Sequence, residues 1–167
     1  PNDPLRILFN SSGLARNIDP DREFLLGTTS NGRDIFSQLV HGSRNALYVG
    51  LTAALAVAIL GTIVGLISGY FGGWVDNLIM RLADIALGIP FLPFVIVLAA
   101  FLGPSSWNVV IAISILLWPN SGRVIRSQVL SLRERAYIES AKVSGCSNLR
   151  IIFVHIGPNI LPLSFLY

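Results

Sequence analysis

Two long stretches of this chain carry no charge, and that restricts the fold more than any motif does. Residues 45–75 and 85–122 contain no Asp, Glu, Lys or Arg. A membrane-spanning helix needs about 20 consecutive apolar residues. The first stretch therefore holds one crossing, and the second is long enough for two, divided by the turn Gly103-Pro104-Ser105-Ser106. A further apolar run starts at Ile151 and is still running at Tyr167. Hydrophobic residues make up 53% of the chain and charged residues 13%, about half the charged share of an ordinary soluble domain. The pattern predicts an all-α, polytopic transmembrane helical bundle with spans over 46–70, 78–102, 107–121 and a truncated 151–167. The chain opens on Pro1, its sole Met is Met80, and an apolar segment breaks off at Tyr167. It is accordingly expected to be a fragment, with a segment missing on each side and no readable signal peptide.

The charge that exists is local. Residues 122–150 hold six basic side chains (Arg123, Arg126, Arg133, Arg135, Lys142, Arg150) against Glu134 and Glu139, a net of +4. Residues 1–45 balance at five against five. Beside membrane spans such a basic cluster marks the cytoplasmic side rather than a nucleic-acid partner. Three crossings separate the two regions, so the basic loop is expected inside and residues 1–45 outside. The turn at residues 71–84 nets −1, which does not support the assignment, although acidic residues weigh little in this rule. Cys146 stands alone, so no intrachain disulfide can form.

Within the spans, Gly61, Gly65 and Gly69 repeat every four residues along one stripe of the first crossing. Small residues at that spacing let helix backbones approach closely in lipid. Asp84 is the charge nearest a membrane core, which makes it a candidate for a translocation path. An interfacial ion pair with Arg81, at i, i+3, is the plainer reading. Pro90 and Pro93 interrupt the second crossing and predict a kink or a broken helix. Such breaks line cavities in transporters and are also ordinary bends. Upstream, Pro4, Pro20 and Asn10-Ser11-Ser12-Gly13 read as turns. Ile35, Leu39 and Leu47 with Phe36 and Val40 read as an amphipathic helix at the membrane interface, or as a loop leading into a helix.

Residues 134–147 contain no proline, and Glu139, Val143 and Cys146 recur on one helical face. Ser140, Ala141, Ser144 and Gly145 make a neighbouring face of small residues. A short helix of this kind suits insertion into a partner's groove; a solvated linker helix is the alternative. The stretch Glu139-Ser140-Ala141-Lys142-Val143-Ser144-Gly145, followed by Ile156-Gly157-Pro158, resembles the Glu-Ala-Ala loop of ABC-importer permeases. Glu139, Ala141, Gly145 and Pro158 fall on that pattern, while Ser140, His155 and Gly157 depart from it.

A second signature narrows the resemblance. Leu26-Gly27-Thr28-Thr29-Ser30-Asn31-Gly32-Arg33-Asp34 leading to Gly42-Ser43-Arg44 is similar to the Gly-Arg-Asp and Gly-x-Arg signatures of dipeptide, oligopeptide and nickel permeases. Thr29 stands where that class has Asp. The chain thus resembles binding-protein-dependent (MetI-like) permeases over roughly residues 26–162. The resemblance implies a type I ABC-importer membrane domain over 46–167, preceded by an extracytoplasmic or interfacial segment, 1–45. It implies no cofactor, and as partners a second permease subunit, cytoplasmic ATPase subunits, an extracytoplasmic solute-binding protein and the lipid bilayer. It assigns ATPase coupling to Glu139, Ser140, Ala141, Gly145 and Pro158, and signature positions to Gly32, Arg33, Asp34 and Arg44.

Enzyme chemistry within the chain is not expected. A phosphate-binding loop needs Gly-Lys-Ser/Thr, and the single lysine, Lys142, lies between Ala141 and Val143. His41 and His155 lack ligand spacing. A self-contained channel or secondary transporter would call for charged residues within the crossings and an inverted repeat, and neither is visible. A membrane scaffold without transport fits the glycine stripe but leaves the small-residue helix unexplained.

Overall fold

The structure is a computed structural model that describes residues 24–103 and 105–164. The turns expected around Pro4, Ser12 and Pro20, and the end of the last apolar run, lie outside the described residues. The chain divides into two units, residues 1–49 and 50–167. Helices dominate, and among the described residues the one β-type contact is an isolated bridge between Thr28 and Asp34.

In the first unit a tight loop feeds the start of α1 (Ile35–Phe71). Gly27 and Gly32 both take positive φ, 71° and 69°, which glycine adopts without the Cβ penalty. Asp34 then starts the helix as a capping residue: its Oδ1 accepts the Phe36 N–H at 3.1 Å and its Oδ2 the Ser37 hydroxyl at 2.6 Å. With its first turn secured there, α1 begins at Ile35 rather than Ala46, and the expected interfacial segment is part of it.

In the second unit α1 ends at a Gly72–Gly73 turn, both residues at positive φ, and α2 (Gly73–Gly88) follows. The expected second crossing is in fact two helices. Ile89 is extended, as the residue before a proline prefers, and α3 (Phe91–Leu102) leaves at 86° to α2. Pro93 sits in the first turn of α3, where no N–H is needed, so it starts a helix rather than kinking one. After Gly103, α4 (Ser106–Arg133) runs well past Ser121 and carries Arg123 and Arg126 on the helix rather than in a loop. The basic segment then holds α5 (Ala136–Val143) and the single turn α6 (Asn148–Arg150). A π-helical stretch, Ile151–Ile156, passes into α7 (Gly157–Ser164). By length and composition α1 and α4 can each cross a membrane, and the bent pair α2–α3 passes the same test only when taken together, as one broken span or a re-entrant loop.

Leu66, Ile125, Val129, Ile138, Ile151, Ile152, Ile156 and Ile160 form one buried cluster. It lies where α1, α4, α5, the π-helical stretch and α7 meet, so the short α5 is anchored on the same core as the long helices. The glycine stripe brings α1 against α4. A Cβ built on Gly61, Gly65 or Gly69 would lie 2.6, 2.6 and 2.7 Å from the Cβ atoms of Ser121, Ile125 and Val129. Two four-residue ladders therefore mesh, small against larger.

Candidate functional site

The site is built around α5. Arg135 precedes it in extended geometry, and its carbonyl accepts the Ile138 N–H at 2.9 Å. Ile138 is fully buried, and Ala141 packs beside it on the core. The opposite side presents Glu139, Ser140 and Val143 to the surroundings, Val143 with 90% of its surface exposed. The small-residue face expected from the sequence is thus divided, because Ala141 turns inward. Ser140 and Ser144 donate their hydroxyls to the carbonyls of Ala136 and Ser140, at 2.9 and 2.8 Å. These hydroxyls are satisfied within α5, which leaves its outer side compact.

The helix ends in a Schellman motif. The Gly145 N–H bonds to the Lys142 carbonyl and the Cys146 N–H to the Ala141 carbonyl, both at 3.0 Å. Gly145 has φ 78° and nothing within 4 Å of where a Cβ would sit. Its glycine requirement is therefore conformational. Cys146 turns back onto the core beside Ala141, as the residue after such a cap commonly does. It does not continue the Glu139–Val143 face.

Pro158 lies downstream in the first turn of α7, on an exposed side. A proline there has no N–H for the carbonyl four residues back and crowds it in an α-helix. The wider π-helical turn just before it relieves that conflict; the Gly157 N–H reaches the Ile152 carbonyl instead. A Cβ on Gly157 would stand 3.2 Å from that oxygen, so glycine suits this turn.

Charged groups join α2 to α4. Arg126 holds Asp76 through one guanidinium edge, its Nε–H donating to Oδ1 and its Nη2–H to Oδ2, and Asp76 is buried. Asp84 pairs with Arg123 of α4, not with Arg81 on its own helix, and both partners are exposed. Pro90 is exposed at the α2–α3 break and Pro93 is exposed on α3. The signature residues are elsewhere, in the first unit. Gly32 forms the turn, Asp34 caps α1, and the Arg33 N–H bonds to Thr29 Oγ1 at 3.2 Å. Arg44 is exposed on α1.

One group of contacts was not anticipated from the sequence. Tyr70, in the last turn of α1, donates its hydroxyl to Asn148 Oδ1 at 2.9 Å. The Lys142 ammonium stands 5.8 Å from the centre of its ring. Arg133 donates to the Gly69 carbonyl at 3.1 Å. The partners in every pair lie 64 or more positions apart in the sequence, so spacing carries no trace of them.

Residues 61–167 match the family described as binding-protein-dependent transport system inner membrane component. The chain is 49% identical over 142 residues to the dipeptide transport system permease protein DppC of Alkalihalophilus pseudofirmus, covering 85% of this chain and 47% of that protein. It is 34% identical over 146 residues to the protein of the same name from Bacillus subtilis, covering 87% and 46%. To the probable D,D-dipeptide transport system permease protein DdpC of Escherichia coli it is 39% identical over 148 residues, covering 89% and 50%. The chain spans about half the length of the curated relatives it matches.

Proposed function

This chain belongs to the family of binding-protein-dependent transport system inner membrane components, and from that membership we propose that it is part of a permease subunit of an ATP-driven ABC importer. The importer carries small peptides, or a related small solute such as nickel, across the plasma (inner) membrane. The relatives named as dipeptide permeases support the peptide class. The subunit pairs with a second permease subunit, receives solute from an extracytoplasmic binding protein and relies on cytoplasmic ATPase subunits for hydrolysis.

The observation that carries this reading is the construction of α5. An eight-residue helix is fixed to the bundle core through Ile138 and shows Glu139, Ser140 and Val143 outward. Force applied to that outer side would reach α1 and α4 through the shared core rather than being lost in a loose loop. Residues 122–150 face the cytoplasm, where an ATPase groove receives α5. Glu139, in its first turn, offers a negative charge to a basic group of the ATPase. The exposed Asp84–Arg123 pair is a candidate for a polar path or for a contact with a partner subunit.

Gly145→Leu in the full-length protein, assembled with its partners, is expected to abolish solute uptake and weaken ATPase docking while leaving the affinity of the binding protein for solute unchanged. Glu139→Ala does the same more mildly, since an interfacial charge costs about 2–5 kcal/mol if buried and far less at a rim. Gly145→Asn separates two causes, because Asn tolerates the left-handed backbone yet still places a side chain on the docking side. Solute-stimulated ATP hydrolysis is the measurement. Unaltered stimulation and uptake in Gly145→Leu would remove α5 from the coupling interface.

A further inference from the structure

Tyr70 is held on three sides at the point where α1 ends. Its ring packs against the core cluster that also contains Ile138 of α5. Its hydroxyl donates to Asn148 Oδ1 in α6, at 2.9 Å. Lys142 of α5 places its ammonium 5.8 Å from the ring centre, within the range of a cation–π contact. One residue earlier, Arg133 at the end of α4 donates to the Gly69 carbonyl at 3.1 Å. That carbonyl is one of the last four of α1, which lack an intrahelical donor, and a cation there also favours the negative end of the helix dipole. The end of α1 is thus tied to α4 by Arg133, to α5 by Lys142 and to α6 by Asn148.

We propose that Tyr70 is a positioning residue that couples the displacement of α5 to α1. The inference rests on the reading of α5 as the ATPase contact. Its physical basis is direction. The close-packed core beneath α5 transmits force but its apolar contacts have no direction of their own, whereas the Tyr70 hydroxyl and ring face fix both distance and angle to α6 and α5. Movement of α5 and α6 would pull on Tyr70, and through it on the helix whose glycine stripe is locked against α4. Without these contacts α5 keeps its anchor in Ile138 but loses its lateral link to α1.

The test uses the full-length subunit assembled with its ATPases and binding protein in proteoliposomes, with a radiolabelled alanine dipeptide as the probe. The quantity read is dipeptide taken up per ATP hydrolysed, which a mere loss of folded protein leaves unchanged. Tyr70→Phe keeps the ring and loses the hydroxyl, and the ratio is expected to fall about fivefold, the scale of one net hydrogen bond. Tyr70→Leu loses both contacts and falls further, with ATPase docking retained in both variants. Tyr70→Phe and Tyr70→Leu at the wild-type ratio, with the ATPases docked, would overturn the role of Tyr70 and leave α5 as the contact. Val143→Asp provides the separate check: undiminished ATPase docking in that variant would instead count against α5 itself. If Tyr70→Leu fails to assemble, Lys142→Met and Asn148→Ala remove the same contacts from the other side. Wild-type ratios in both of those variants would likewise overturn the proposal.

Discussion

Asp34 shows how a family signature becomes a physical requirement at the scale of one side chain. Both its carboxylate oxygens are engaged at the start of α1, with the Phe36 N–H and the Ser37 hydroxyl. A side chain that satisfies an orphan helix donor typically contributes about 1 kcal/mol. Asp34→Ala should therefore raise amide hydrogen exchange at Phe36 severalfold, and Asp34→Asn, which can still cap, should restore most of the protection. Reduced uptake in Asp34→Ala with unaltered exchange would mean that the carboxylate acts on something other than the helix start. Gly145 is governed by the same local rule at the other end of a helix, through its φ of 78°. Both positions were legible in the sequence as motif residues. The cause at each, a cap and a left-handed turn, is a backbone property that a pattern match does not state.

Among the elements, the glycine stripe was legible as a close-packing surface, but its partner was not. Four-residue spacing defines a face on one helix, whereas the opposing ladder of Ser121, Ile125 and Val129 looks like any other part of an apolar span. The same limit applies to the ion pairs. Asp84 and Arg81 are close in sequence, yet the three-dimensional crossing of α2 with α4 gives Asp84 to Arg123 and Asp76 to Arg126. α4 runs on past Ser121, where the apolar span was expected to end, because Arg123 and Arg126 find partners in Asp84 and Asp76 and continue the helix. Gly65→Leu should sharply lower the yield of assembled protein, since even a Cβ there would lie 2.6 Å from Ile125. Gly50→Leu is the control, with nothing within 4 Å of its Cβ position. Equal, normal yields for both on size-exclusion chromatography would show that α1 and α4 do not need this approach.

For the whole second unit, the question is whether the sharply bent α2–α3 pair crosses the bilayer or returns to the side it came from. The Asp76–Arg126 pair bears on it directly. Asp76 lies in the first turn of α2, and Arg126 lies in the C-terminal part of α4, about 10 Å from its end at 1.5 Å per residue. The start of α2 and the end of α4 are therefore on one side. If α4 spans the membrane, its start at Ser106 is on the other side, so the chain between Gly73 and Ser106 has to cross. The 86° bend then divides one crossing between α2 and α3. It also changes the meaning of the acidic 71–84 turn. Asp76 and Asp84 are paired with Arg126 and Arg123, so the turn sits beside the basic segment without opposing its charge. Ser12, in the segment expected outside, lies outside the described residues, and Cys146 is partly buried against the core, which by itself slows its labelling. Ser105→Cys and Val143→Cys, each in a Cys146→Ala background, avoid both problems because both positions are exposed. In intact cells a membrane-impermeant thiol reagent should label Ser105→Cys and leave Val143→Cys unlabelled until the membrane is permeabilised. Labelling of both from outside would mean that α4 is no span and that α2–α3 returns to the side it starts from, and labelling of Val143→Cys alone would reverse the orientation of the unit and put α5 beyond the reach of a cytoplasmic ATPase.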